Sequence, residues 1–206
     1  MRARTCSRST WSGICVLLLV VWACASGAAT DARGAKVNFI IEGTVESVLD
    51  GDTLTLRGPG GGRFHLRLSD LDAPETAHPR NPYRERRGCK RPPASVPAQT
   101  HAEAARAALA ALAPRKSALR AECYVIDRYG RPVCHVFAGQ TNLNLALVRD
   151  GHAMLIDRRR WIRDPASAEA ASAARAARRG LWAQAAPTPP DDWRQRCWCR
   201  AQCAAP

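Results

Sequence analysis

The chain predicts an α+β fold with a mainly β core: a five-stranded barrel of the OB type carrying three α-helices. Three observations lead there. Five short segments are strand-like, either alternating apolar and polar residues or concentrating Val, Ile, Phe and Leu. Gly- and Asp-rich turns separate them. One helical stretch interrupts the five and two more follow, an order that closes readily into a small barrel.

The first strand is read over Val37 to Leu49, rich in Val, Ile and Phe. Asp50-Gly51 reads as a tight hairpin turn. The second strand, Thr53 to Arg57, points Leu54 and Leu56 the same way. Gly58-Pro59-Gly60-Gly61-Gly62 makes the next turn. The third strand, Arg63 to Leu71, places Phe64, Leu66 and Leu68 on one face and His65, Arg67 and Ser69 on the other. Leu71 breaks that parity, which predicts a bulge or a strand end near Asp70. Strict alternation would put Arg67 and Asp72 on opposite faces; a shared site requires the backbone to be re-aimed there.

Thr76 to Ala98 is a Pro- and Arg-rich loop carrying Cys89. Thr100-His101-Ala102-Glu103 has the form of a capping box, and the helix it opens runs to about Ala113, before Pro114. Two strands follow, Ala118 to Ile126 and Pro132 to Ala138, joined by the Arg128-Tyr129-Gly130 turn. A short helix starts near Asn142 and stops at Gly151. The last helix starts at Asp164-Pro165 and ends at Gly180. The domain division is a signal segment over 1–29, one domain over 30–186, and an irregular tail over 187–206.

The first segment reads as an export signal: Arg2, Arg4 and Arg8, a short apolar run from Ile14 to Ala25, then small residues. Val21-Trp22-Ala23-Cys24 loosely fits a lipid-attachment site, and an uncleaved anchor is the other alternative. Beyond Cys6, Cys15 and Cys24, six cysteines remain, which an oxidising compartment would pair. Cys123 and Cys134 flank the Arg128-Tyr129 turn and should face each other as a disulfide. The spacing of Cys197, Cys199 and Cys203 does not suit zinc. Without the three signal arginines, 28 basic side chains face 18 acidic ones, a net charge of +10. Such a surface attracts polyanions, nucleic acid first among them. Trp193 and Trp198 stand among arginines and could stack on bases, but packing of the tail under its disulfides is the favoured reading. The five histidines show no ligand or triad spacing. Nothing points to an oligomer, so a monomer is expected.

Asp50-Gly51-Asp52-Thr53 and Arg67 through Glu75 bring acidic oxygens and a guanidinium to neighbouring strands, and Arg131 adds a second guanidinium. Carboxylates hold a hard metal ion, a glutamate takes a proton from water, and two arginines grip a phosphate. These parts suit phosphodiester hydrolysis.

The same pieces carry a family resemblance. Val48 to Thr53, Arg67 to Thr76, Asp127 to Arg131, Asn142 to Ala153 and Gly180-Leu181-Trp182 stand in order over residues 40 to 183. The chain resembles the micrococcal (staphylococcal) nuclease family. The resemblance implies an OB-type barrel with three helices and Ca2+-dependent hydrolysis of DNA and RNA leaving 3′-phosphates. It implies Asp52, Asp72 and the carbonyl of Ala73 as calcium ligands, Asp50 behind them, Glu75 as general base, and Arg67 and Arg131 on the scissile phosphate. Asp157 stands about where the family prototype has a nucleotide-stacking tyrosine; Trp161 or Tyr129 are the substitutes at hand. The Thr76 to Ala98 loop is longer than the prototype's, and the prototype has no disulfides.

Two other readings compete. A catalytically inactive nuclease-like module would bind nucleic acid, but such copies usually lose the acidic and arginine positions that are all present here. A secreted basic protein coating an anionic polymer would need none of Asp52, Asp72 or Glu75.

Overall fold

A computed structural model describes residues 36–156 and 162–203. Residues 1–29, expected to be an export signal, lie outside those residues, as do Asp157 and Trp161.

The strands are β1 (Phe39–Val48), β2 (Thr53–Arg57), β3 (Arg63–Leu68), β4 (Leu71–Asp72), β5 (Ala118–Ile126), β6 (Pro132–Ala138), β7 (Thr141–Asn142) and β8 (Met154–Leu155). The helices are α1 (Ala102–Leu112), α2 (Leu143–Arg149), α3 (Ala166–Ala176) and α4 (Pro190–Trp193). The main sheet runs β3-β2-β1-β5-β6-β7, and a parallel pairing of β3 with β6 closes five of its strands into a barrel. That seam is short: Arg67 faces Val133 and Leu68 faces Cys134. The buried Asn144 amide reinforces it. Its Oδ1 accepts from Val136 N at 2.9 Å, and its Nδ2 donates to the carbonyls of Ser69 and Cys134, both at 3.0 Å. Asn144 thus ties α2 to the seam that carries Arg67.

The barrel interior holds the expected leucines: Leu54, Leu56, Leu66 and Leu68 are fully buried, packed with Leu109 of α1 and Leu143 and Leu147 of α2. Phe64 is the exception on its face. It lies half exposed where the β2–β3 hairpin runs past the barrel, over Gly58 and Gly62. Cys123 and Cys134 are register partners, joined inside the barrel at an S–S distance of 2.06 Å, as the hairpin spacing predicts.

The parity break falls where expected. β3 ends at Leu68, Asp70 takes φ 69°, and β4 starts at Leu71 to pair with β8. Asp70 can hold this left-handed backbone because its carboxylate is saturated. Oδ1 accepts from Ser69 Oγ at 2.6 Å; Oδ2 accepts from Arg163 N at 2.9 Å and Asp164 N at 2.8 Å, and meets His135 Nε2 at 3.0 Å. His135 Nδ1 in turn meets the Tyr124 hydroxyl at 2.8 Å.

Three expectations about local signals need correction. Asp50-Gly51 is not a two-residue hairpin: residues 49–52 link β1 to β2, and Gly51 lacks a positive φ. Gly51 is needed for close packing instead, since a Cβ there would lie 2.7 Å from the Cβ atoms of both Ala73 and Ala105. The capping box does not form. His101 takes φ 75° ahead of α1, no side chain caps the helix, and Glu103 pairs with Arg106 at 2.9 Å. His101 instead stacks on His152, with ring nitrogens 3.2 Å apart. α3 stops at Ala176 because Arg178, at φ 51°, takes the left-handed position after the helix. Gly180 serves a contact instead: a Cβ there would lie 2.2 Å from the Gly151 carbonyl, which accepts from Leu181 N at 2.8 Å. Gly151 itself ends α2 as predicted, with φ 73° and the bonds Gly151 N to Val148 O and His152 N to Leu147 O.

The tail, expected to be irregular, forms regular turns over residues 190–198. α4 continues into a π-helical turn, Arg194–Trp198. Trp193, Cys197 and Trp198 form a second buried cluster with Val96, flanked by Tyr83 and Cys203. Disulfide Cys89–Cys199 staples it to the 76–98 loop, and Cys197–Cys203 closes a short loop within the tail. Asn81 Nδ2 donates to the Trp198 carbonyl at 2.7 Å, and Gln99 Nε2 to that of Thr188 at 2.6 Å. Among the described residues no helix is long and apolar enough to cross a membrane.

Candidate active site

The site gathers at the Asp70 turn. Asp52 ends the β1–β2 link, Arg67 lies on β3, Asp72 on β4, and Glu75 three residues beyond. Because the backbone reverses at Asp70, Arg67 and Asp72 share one side. Arg67 NH1 lies 3.0 Å from Asp52 Oδ2, and NH2 lies 2.9 Å from Asp72 Oδ1. One guanidinium thus bridges both predicted metal carboxylates. Burial works against the charge of Arg67, but Asp52 and Asp72 outweigh it and hold its pKa above the ordinary value.

Asp52 is anchored from three sides. Its N–H donates to Asp50 Oδ1 at 3.0 Å. Oδ1 accepts from Thr53 Oγ1 at 3.1 Å, and Oδ2 from Ala73 N at 2.8 Å. Burial pushes the Asp52 carboxyl up to about 7, with Arg67 pulling the other way. Ala73 is buried against Gly51, its peptide held to the Asp52 carboxylate. Two carboxylates and a peptide carbonyl are hard oxygen donors, the chemistry a Ca2+ ion takes. Among the described residues no group of three or more His, Cys, Asp and Glu forms a cage. An ion here would draw further ligands from water or phosphate.

Glu75 is placed by Gln99. Its N–H donates to Gln99 Oε1 at 3.2 Å, and its carbonyl accepts from Gln99 N at 2.8 Å. Its side chain meets Arg194 NH1, and His78 Nε2 lies 3.9 Å from the other oxygen. Arg131 touches none of these groups but lines the same cleft of about 400 Å³, with Asp52, Arg67, Glu75 and Tyr129. Asp127 aims it: Oδ2 accepts from Arg131 Nε at 2.9 Å and pairs with NH2 at 2.8 Å, while Oδ1 accepts from Arg131 N at 2.9 Å. Burial pushes the Asp127 carboxyl up, but the bonds from Arg131 outweigh it and hold it low. Tyr129, 62% exposed, presents a ring at the rim with Arg128 at 4.9 Å and Arg131 at 5.4 Å.

Sequence reasoning missed Arg194. NH1 and NH2 reach Asp72 Oδ1 and Oδ2 at 3.1 and 2.6 Å. Its partners lie 122 and 119 residues upstream, and no motif marks it.

The chain is similar to several known proteins. The model of the family described as staphylococcal nuclease homologue matches residues 65–184, which contain Arg67, Asp72, Ala73, Glu75 and Arg131. A protein of Haemophilus influenzae named an uncharacterized endonuclease is 28% identical over 152 residues, 74% of this chain and 72% of its own. One of the same name from Escherichia coli O157:H7 is 29% identical over 157 residues, 76% of this chain and 86% of its own. A probable staphylococcal-like nuclease of Oryza sativa subsp. japonica is 32% identical over 140 residues, 65% of this chain and 30% of its own length. The chain belongs to the staphylococcal nuclease homologue family.

Proposed function

We propose that this protein is an exported, Ca2+-dependent nuclease that hydrolyses phosphodiester bonds of DNA and RNA and leaves 3′-phosphates, acting as a monomer on single-stranded or flexible substrate. The observation that carries the reading is the meeting of Asp52, Arg67 and Asp72 within 3.0 Å contacts, beside Glu75 and across a cleft from Arg131.

Asp52, Asp72 and the Ala73 carbonyl are the residues to hold the cation. Bound there, it would supply positive charge against the phosphate and help to orient the attacking water. Glu75 takes a proton from that water, a role worth typically ~10²–10⁴-fold. The water oxygen bonds to phosphorus, the bond to the 5′ oxygen breaks, and that oxygen takes a proton from solvent. Arg67 and Arg131 offer planar, permanently charged donors to the remaining phosphate oxygens. Tyr129 at the rim is the side chain to stack on a base. Three disulfides fit an oxidising compartment, and residues 1–29 fit a signal that takes the chain there.

Digestion of single-stranded DNA and of RNA by the purified oxidised protein tests this. Cleavage is expected with Ca2+, none with chelator, and the product 3′ ends should resist polymerase extension until treated with phosphatase. Binding of DNA with no cleavage in Ca2+ would turn the reading to an inactive nucleic-acid-binding module.

A further inference from the structure

Arg194 occupies the two groups that the proposed reaction depends on. Its guanidinium takes both oxygens of Asp72, at 3.1 and 2.6 Å, and also donates to Glu75 Oε1. Asp72 Oδ1 accepts a further N–H from Arg67 at 2.9 Å. Each oxygen of Asp72 is therefore already engaged by a cationic donor. Burial disfavours the charge on Arg194, but Asp72 and Glu75 outweigh it and hold its pKa above the ordinary value.

The backbone under Arg194 is fixed. It follows α4 directly and opens the π turn; Cys197 within that turn and Cys199 just beyond it are both disulfide-bonded. Trp193 and Trp198, on either side of it in sequence, are buried against Val96 of the long loop. The arginine is thus delivered to these carboxylates at high local concentration.

The geometry points to Arg194 as a tethered competitor for the divalent cation. The guanidinium and the cation claim the same oxygens of Asp72; Oδ1 already accepts from Arg67 and Arg194 together, and a third positive charge on that carboxylate is repelled by both. The inference rests on the reading of Asp52 and Asp72 as the cation's carboxylates. Displacement of Arg194 also uncovers Glu75, so cation binding and exposure of the proton acceptor become one event.

Calorimetric titration of Ca2+ into the oxidised full chain, without nucleic acid, tests this on wild type, Arg194→Gln and Arg194→Lys. Arg194→Gln should bind about tenfold to hundredfold more tightly, the range set by losing hydrogen bonds between charged groups. Arg194→Lys keeps the charge without the fork and should fall between. Thermal unfolding gives a second readout: in chelator the Gln variant should melt below wild type, because Asp72 and Glu75 lose their shared partner. Ca2+ should then raise its Tm by more than it raises the wild type's. Unchanged or weaker Ca2+ affinity in the Gln variant, with wild type still binding, overturns the competitor and leaves the cation reading intact. No Ca2+ binding by either protein overturns both. If the Gln variant does not fold, the Lys variant decides: tighter binding than wild type supports the competitor, equal or weaker binding overturns it.

Discussion

Asp70→Asn changes one atom at a buried carboxylate that supports both the fold and the site. Oδ2 accepts two backbone N–H groups, of Arg163 and Asp164, and meets His135 Nε2; Oδ1 accepts from Ser69. Asparagine keeps the shape and tolerates the φ of 69° found there. What it loses is the charge and one acceptor oxygen, so the amide nitrogen must turn to Ser69 Oγ, whose hydroxyl can accept. Charge-assisted hydrogen bonds are roughly twice as strong as neutral ones, so four of them together should cost about 2–4 kcal/mol. Burial alone would push the Asp70 carboxyl up, but the bonds from His135 and Ser69 outweigh it and hold it below its ordinary 3.8. A depressed pKa stabilises the fold at pH values above the unfolded pKa, and that contribution is lost as pH falls through the folded value. The gap between wild type and variant should therefore be full at pH 7 and shrink below about pH 4. Urea unfolding midpoints across that range measure it. A variant within about 0.5 kcal/mol of wild type at pH 7, the size of an ordinary surface substitution, would refute the reasoning. So would a gap that does not shrink on acidification.

Gly51→Ala forces a methyl to within 2.7 Å of the Ala73 and Ala105 Cβ atoms; overpacking of that kind should cost about 1–3 kcal/mol in denaturant unfolding. Replacing Cys123 and Cys134 together by alanine opens a short loop inside the barrel, and the chain-entropy cost should be about 3 kcal/mol of stability by the same measure. Arg67→Lys should lower kcat/KM by an amount worth about 3–4 kcal/mol. A lysine cannot contact Asp52 and Asp72 with two coplanar N–H groups as Arg67 does, so near-normal turnover would contradict its assigned role.

The legible parts of this chain were those with local signals. Alternation in Thr53 to Arg57 and Arg63 to Leu68 marks the barrel leucines. The parity break at Leu71 locates the turn that brings Arg67 to Asp72. Cys123 and Cys134 pair because a hairpin puts residues equidistant from its turn opposite each other. The capping box failed because a short pattern is overridden when a tertiary contact, here His101 on His152, sets the backbone. Gly51 and Gly180 looked like turn and helix-stop residues, yet their work is to let other segments approach, which only the packed structure defines. Asp70, His135 and Tyr124 form a chain across separations of 65 and 11 residues. Arg194 is the extreme case. Its position follows from a disulfide spanning 110 residues and a buried tryptophan cluster, neither of which leaves a periodic trace.

The tail also alters the picture of the site. Of the five side chains proposed to cleave phosphodiesters, two, Asp72 and Glu75, are joined by an arginine from outside the barrel. Access to those carboxylates is then a property of the 76–98 loop and the tail together.

The central claim, that this cluster hydrolyses phosphodiesters, is tested most directly by initial rates on single-stranded DNA in Ca2+. Wild type should be compared with Glu75→Gln, each checked for folding and intact disulfides. Wild type should cleave, and the variant should cleave more slowly by ~10²–10⁴-fold while still binding the DNA. Equal rates in the two proteins, or no cleavage by a correctly oxidised wild type, would contradict the account.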